Sequence, residues 1–186
     1  MTPTLSLCER LDSRRTNQPA RLAYIIDGVE RDNKSSIDHV FRVANGLIAA
    51  GIGKGDRVAV LSRNSLECAE VMTGILCSGA SMVPVPNTAT PEAQRNMLLD
   101  SAVKGLFVSD QYRNAALEHF MDIPSIRADL RFALETACEQ FHDHTAWAKT
   151  FDASSPNVHM ALDEEYDILY SSGTTGIPKG IIHSHL

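Results

Sequence analysis

Paired cysteines are missing from this 186-residue sequence, although it contains four cysteines. Cys8, Cys68, Cys77 and Cys138 are far apart and form no C-x-x-C pair. The spacing therefore gives no support to a zinc site or a dithiol redox motif. We expect reduced thiols, with Cys68 and Cys77 packed on one helix.

Targeting and membrane-spanning patterns are missing as well. Residues 1–11 have neither the basic start nor the continuous apolar core of a signal peptide. No apolar run reaches the length that crossing a bilayer requires. The sequence predicts a cytoplasmic protein without a transmembrane segment.

An excess of basic charge is the third absence. The chain carries 17 Lys and Arg against 23 Asp and Glu, which gives a formal net charge of −6. A nucleic-acid surface needs clustered Lys and Arg in excess, so we expect no nucleic-acid partner. A small anionic ligand remains compatible, because local amides and one lysine can hold a phosphate on an acidic protein.

The composition that remains, 44% hydrophobic and 22% charged residues, is ordinary for a soluble globular protein. A chain of this length buries a real core and is most simply one domain, or the larger part of one, over residues 1–186.

The first part of the chain predicts a helix, a hairpin and a second helix. Apolar residues at helical spacing within 5–11 indicate a short N-terminal helix. Asp27-Gly28 between two β-prone runs indicates a hairpin. Ser35 is the expected N-cap of the second helix, which should end at Gly51. Residues 51–56 are glycine-rich but lack the third glycine of a dinucleotide fingerprint and precede a strand, so we interpret them as a tight turn.

From residue 57 onward, strand and helix patterns alternate with short connections. The predicted strands are 57–61, 81–85, 106–109, 130–133 and 166–170, and the predicted helices are 65–78, 90–101, 110–120 (capped by Asp110) and 146–151. Such alternation predicts parallel strands joined by helical crossovers. We expect a three-layer αβα fold with a mostly parallel sheet, and a solvated loop at the acidic residues 163–165.

Residues 170–180 read Tyr-Ser-Ser-Gly-Thr-Thr-Gly-Ile-Pro-Lys-Gly and suit an anion-binding turn. Glycines let the backbone approach a ligand, hydroxyls and amides donate hydrogen bonds, and Lys179 adds a positive charge. The stretch is not a Walker A loop, because Gly180 and not Ser or Thr follows the lysine. The sequence therefore predicts a phosphate-binding loop of another kind.

This stretch resembles the signature of the adenylate-forming superfamily, which includes acyl-CoA synthetases and the adenylation domains of peptide synthetases. The upstream residues 54–61 and 74–87, with Val83-Pro84-Val85-Pro86, resemble its first two α/β strands, so the resemblance covers the chain from about Ala23 on. It implies ATP and Mg²⁺ as cofactors, coenzyme A as co-substrate and a carboxylic acid as the small-molecule substrate. Similar enzymes form an acyl-adenylate and pyrophosphate, and a thiol then takes the acyl group.

The resemblance also implies roles for individual residues. On this basis the hydroxyls come from Ser172, Thr174 and Thr175, the backbone amides from Gly173 and Gly176, and the charge from Lys179. Ser171 matches a hydroxyl position that helps to hold Mg²⁺ in some relatives. His185 matches a histidine near the active-site cleft and is a candidate neighbour of the site. The pairs His142 and His144, and His183 and His185, lack third and fourth ligands, so we interpret them as ordinary histidines and not as a metal site.

Three functions remain open at this stage. Asn87 and Thr88 follow the Val-Pro run where peptide-synthetase domains usually have Asp-Pro, which favours an acid–CoA ligase over an adenylation domain. A non-enzymatic phosphate-binding or assembly module is the third reading. Family members continue for several hundred residues beyond this loop, so we expect no catalytic residue and negligible pyrophosphate exchange from this chain alone. We also expect an open apolar face that promotes homo-oligomers.

Overall fold

The structure is a computed structural model that describes residues 6–171 and 178–185. Its helices and strands follow in the order α1 (Leu7–Asn17), β1 (Leu22–Ile26), β2 (Val29–Asp32), α2 (Asn33–Ala49), β3 (Arg57–Leu61), α3 (Leu66–Cys77), β4 (Ser81–Pro84), α4 (Pro91–Asp100), β5 (Gly105–Val108), α5 (Asp110–His119), β6 (Arg131–Ala133), β7 (His142–Asp143), α6 (His144–Ala148), β8 (Glu165–Ser171) and β9 (Lys179–Ser184). In the described part of the chain, no helix combines the length and the apolar character needed to cross a membrane.

One seven-stranded sheet carries most of the chain, with the strand order β7-β6-β5-β3-β4-β8-β9. Neighbouring strands are parallel from β7 to β8, and only β9 runs antiparallel, to β8. This confirms the mostly parallel sheet. The antiparallel strand after the glycine-rich stretch was not predicted.

Helices cover both faces of the sheet. The evidence is that successive side chains of β3 belong alternately to two different core clusters. Val58 and Val60 belong to a core cluster that includes residues of α2, α3 and α6. Ala59 and Leu61 belong to a second cluster with residues of α4 and α5. Successive side chains of a strand point to opposite faces, so helices lie on both sides of the sheet. The three-layer αβα fold is confirmed.

The hairpin of β1 and β2 forms a separate two-stranded sheet with the predicted turn. Asp27 and Gly28 both have positive φ, 52° and 76°, which is the backbone of a type I′ turn.

The start of α2 corrects the prediction: Asp32, not Ser35, is the N-cap, and its carboxylate accepts the N–H of Ser35 at 2.7 Å. A carboxylate satisfies this free N–H and also interacts favourably with the helix dipole.

Two more helix starts differ from the predicted ones. Ser109 is the N-cap of α5, and Asp110 lies inside the first turn, where its carboxylate accepts the N–H of Thr136 at 3.1 Å. Helix α6 begins two residues earlier than predicted because Asp143 caps it, accepting the N–H of Ala146 at 2.9 Å. The start of α5 differs because Asp110 bonds to Thr136, which is distant in the sequence. The start of α6 differs because the cap Asp143 was not recognised.

Candidate phosphate-binding hairpin

Strand β8, which leads into the glycine-rich stretch, is fixed to the sheet at its start. Glu165 forms two ion-pair contacts of 2.8 Å with Arg57 of β3, and its backbone oxygen accepts the Ser81 hydroxyl at 3.2 Å. The pairing lowers the pKa of Glu165 and raises that of Arg57. Glu164 likewise pairs with Lys54 at 3.0 Å. The expected solvated acidic loop is therefore wrong for Glu165, which lies in β8 and pairs with Arg57, whereas Glu164 lies in the loop before β8.

Strand β8 is also fixed near its end, through Tyr170. The phenol donates a hydrogen bond of 2.6 Å to a carboxylate oxygen of Asp100 and lies 3.1 Å from the backbone oxygen of Met97, at the end of α4. Burial, together with the Asp100 carboxylate, raises the pKa of Tyr170. The residue directly before the predicted hydroxyls is thus held in place by a helix.

Gly180 has a packing reason to be glycine. It lies opposite Tyr170 in the antiparallel pair β8–β9. A Cβ at this position would lie 3.0 Å from Ile168 Cγ2 and 3.2 Å from the Tyr170 ring. The missing side chain lets the Tyr170 ring pack closely against the backbone of β9.

Ser171 and Lys179 bracket the glycine-rich stretch. Ser171 is the last residue of β8 and Lys179 the first of β9, the two are partners in the strand register, and both are exposed. A hydroxyl and an ammonium group therefore start from adjacent positions at one end of the sheet. The other predicted phosphate-binding residues, Ser172, Gly173, Thr174, Thr175 and Gly176, lie outside the described residues.

His185 lies at the other end of this hairpin. Its backbone N–H donates to the backbone oxygen of Glu164 at 3.2 Å, and its ring stands perpendicular to the Tyr166 ring with centroids 5.1 Å apart. Six residues of extended chain separate it from Lys179, which corresponds to about 20 Å. The described hairpin brings Ser171 and Lys179 together but does not bring His185 to them.

One ionisable contact on the hairpin was missed by the sequence analysis. Asp167 of β8, which is 6% exposed, lies opposite His183 of β9, and the two side chains are 2.6 Å apart. The run of β-prone residues after Gly180 was the signal for β9 that could have paired them. In the described residues no group of three or more His, Cys, Asp or Glu side chains could hold a metal ion.

The described residues place Ser171 and Lys179, the two ends of the glycine- and hydroxyl-rich stretch, side by side at one end of a mostly parallel α/β sheet. The family model of the AMP-binding enzymes matches residues 12–186 of this chain. The chain therefore belongs to the AMP-binding enzyme family.

Curated relatives include ligases with different acyl acceptors. The fatty acid–acyl-carrier-protein ligase ScoC of Streptomyces coeruleorubidus is 32% identical over 77% of this chain and 26% of its own length. The acetyl-coenzyme A synthetase of Pseudoalteromonas translucida is 30% identical over 94% of this chain and 30% of its own length. Surfactin synthase subunit 2 of Bacillus subtilis is 26% identical over 90% of this chain and 4% of its own length. The chain thus spans a third or less of these relatives.

Solved structures share the fold. The inhibitor-bound N-terminal domain of FACL13 from Mycobacterium tuberculosis has a TM-score of 0.79 at 28% identity, covering 98% of this chain and 45% of that domain's chain. The anthranilate CoA ligase AuaEII in complex with anthranoyl-AMP has a TM-score of 0.88 at 21% identity, covering 100% of this chain and 36% of its own.

Proposed function

We propose that this chain is the N-terminal, ATP-phosphate-binding part of an ATP-dependent acid–CoA ligase, with residues 1–186 forming the first part of its AMP-binding domain. The observation that carries the proposal is the pairing of Ser171 with Lys179 across the ends of β8 and β9. These residues enclose the stretch with the glycines and hydroxyls. Membership of the AMP-binding enzyme family supports ATP as the adenylyl donor.

In the proposed reaction, a carboxylate attacks the α-phosphorus of ATP, which gives an acyl-adenylate and pyrophosphate. The sulfur of coenzyme A then attacks the acyl carbon, the bond from that carbon to the phosphate oxygen breaks, and AMP leaves as the thiol loses its proton. Lys179 would interact with the β- and γ-phosphates as a point charge, beside the hydroxyls of Ser172, Thr174 and Thr175 and the amides of Gly173 and Gly176. This loop would orient pyrophosphate as the leaving group. It supplies no general base or nucleophile.

The donor groups near Ser171 fit Mg²⁺ only as a complex with ATP. Mg²⁺ keeps several waters and binds through few protein groups plus substrate phosphates. One exposed hydroxyl at the end of β8 is compatible with that chemistry. We therefore propose Ser171 as a hydroxyl that faces the magnesium complex of ATP.

A carrier-protein thiol is the alternative acceptor, since ScoC is a ligase of that kind and surfactin synthase subunit 2 is also a relative. Asn87 and Thr88 after the Val-Pro run favour coenzyme A. Assaying the protein that contains this chain with coenzyme A and with a carrier protein would separate the two.

Four free cysteines suit a reducing compartment, and we propose the cytoplasm.

The test is binding of Mg·ATP to this chain, measured by equilibrium dialysis. Lys179→Ala should weaken binding about tenfold or more, because a charge-assisted bond to phosphate is lost. Lys149→Ala is the matched control, since Lys149 is also an exposed lysine but follows α6. Unchanged affinity of the Lys179 variant would contradict the proposal.

A further inference from the structure

Cys8 and Cys77 lie side by side although they are 69 positions apart in the chain. Cys8 is the second residue of α1 and Cys77 the last residue of α3. The Cys8 thiol donates a hydrogen bond of 3.6 Å to the backbone oxygen of Cys77. Both are buried, 2% and 0% exposed, in one cluster with Val40 and Phe41 of α2. The fold thus brings together two cysteines that the sequence spacing does not pair.

The two thiols are chemically unequal. The side-chain contact with Cys77 lowers the pKa of the Cys8 thiol against the opposing effects of burial and Glu9, and the side-chain contact with Cys8 together with burial raises the pKa of Cys77. The position of Cys8 in the first turn of α1 favours its thiolate further, because the helix dipole is positive there. The pKa directions and the position at the start of α1 both favour Cys8 over Cys77 as the thiolate.

A cavity gives a small reagent access to Cys8. Cys8 lines a cavity of about 440 Å³ together with Arg10, His159 and His185, while Cys77 does not line it. The cavity is large enough for a molecule the size of hydrogen peroxide. Access and ionisation thus select the same cysteine.

We propose that Cys8 and Cys77 form a peroxide-reactive dithiol site, in which Cys8 is oxidised first and Cys77 resolves it into a disulfide. The Cys8 thiolate attacks one peroxide oxygen, the O–O bond breaks, and the departing hydroxide takes the former thiol proton as water. Cys77 sulfur then attacks the sulfenic sulfur, the S–S bond forms, and the S–O bond breaks. The leaving hydroxide takes the Cys77 proton as a second water. Two electrons pass from the two sulfurs to one peroxide.

The other two cysteines serve as internal references. Cys68 is 8% exposed, burial raises the pKa of its thiol, and its sulfur contacts Met72 Sδ at 3.5 Å. Cys138 is more exposed than the other three, and its sulfur lies near the Gln140 side chain at 3.9 Å. If exposure alone decided reactivity, Cys138 would be oxidised first. The dithiol geometry predicts the opposite order.

The decisive experiment maps the oxidised thiols of the whole chain. The protein is reduced, freed of reductant and treated in native buffer with one equivalent of hydrogen peroxide. Remaining thiols are then alkylated in denaturant, and the chain is digested without reduction for mass spectrometry. We expect a peptide that links Cys8 to Cys77, an intact mass lower by two hydrogen atoms, and reversal by dithiothreitol. Cys68 and Cys138 should be recovered as alkylated thiols.

Two variants test the order of the steps. Cys8→Ser should abolish the linked species, whereas Cys138→Ser should leave it unchanged. In Cys77→Ala, dimedone should label Cys8 as a trapped sulfenic acid. If that variant does not fold, the peptide map of the unmodified sequence remains decisive by itself. Oxidation of Cys138 while Cys8 and Cys77 stay alkylatable, or over-oxidation of Cys8 without a link to Cys77, would overturn the proposal.

Discussion

At the residue scale, Glu70 of α3 carries a charge in a poorly compensated position. Its side chain is 2% exposed, and its Oε1 atom has no hydrogen-bond partner in the described part of the chain. The nearest cation is Arg31 of β2, with 3.7 Å between Oε1 and Nη1. Burial raises the pKa of Glu70 from 4.5 to about 7, while Arg31 and the Ser36 hydroxyl lower it and Glu67 raises it.

Glu70 should therefore make the protein less stable as pH rises. The folded pKa lies above the unfolded one, so the folded state binds more protons between pH 4.5 and about 7. Stability that is fully present below the unfolded pKa is lost as pH rises through the folded pKa. The loss from this residue is on the order of 3 kcal/mol. Urea unfolding between pH 5 and pH 8 should show that Glu70→Gln removes most of this loss.

The neighbouring Glu67→Gln is the matched control for that measurement. Glu67 lies one turn earlier on α3 and is only half-buried. Its variant should reduce the pH dependence only slightly, because Glu67 contributes least to the shifted pKa of Glu70. If both variants keep that dependence, the Glu70 carboxyl does not change protonation in this range.

At the scale of elements, the contact between α2 and α3 depends on Gly74. A Cβ at Gly74 would lie 2.7 Å from Val43 Cγ1 and 3.1 Å from the Val40 backbone oxygen. Gly74→Ala should therefore lower the free energy of unfolding by about 1–3 kcal/mol, because both helices are already closely packed. Gly53→Ala is the control, since its Cβ would find only the Ser78 oxygen at 3.8 Å. Chemical denaturation of both variants measures the difference.

The double variant Gly74→Ala with Val43→Ala shows whether the predicted clash is the cause. Removing the Val43 methyl groups removes the 2.7 Å contact with Cγ1 but leaves the Val43 Cβ 2.8 Å from the new Cβ, so the two changes together should cost only somewhat less than the sum of the single changes. Strict additivity would show that the cost of Gly74→Ala does not come from its contact with Val43.

The elements also show what the sequence could and could not predict. Strands β3, β4, β5 and β8 were predicted to within about two residues, because buried parallel strands are short apolar runs between clear helix signals. The role of Asp110 could not be predicted, because its partner Thr136 is distant in sequence.

For the candidate site, Lys179 and the hydroxyls were evident from the motif. The contacts that hold β8, Arg57 with Glu165 and Tyr170 with Asp100, require the strand order and were not predictable.

At the scale of the whole molecule, the strand at one edge of the sheet, β9, exposes apolar side chains. In the described residues β9 has a strand neighbour on one side only, and its Ile181 and Ile182 are 49% and 59% exposed. Leu169 of β8, opposite Ile181, is 40% exposed. An edge strand with free backbone groups and exposed apolar side chains readily pairs with another chain. We therefore propose that copies of this chain self-associate through β9.

Ile182→Lys should weaken this self-association, measured by sedimentation velocity over a range of protein concentrations. A lysine on an edge strand opposes pairing, because it places a desolvated like charge at the contact between copies. Ile25→Lys is the matched control, since Ile25 of the β1–β2 hairpin is also 59% exposed. If self-association were non-specific contact between exposed apolar side chains, both variants would weaken it equally. If it occurs through β9, only Ile182→Lys weakens it. A sedimentation coefficient of the unmodified chain that does not change with concentration would rule out association at this edge.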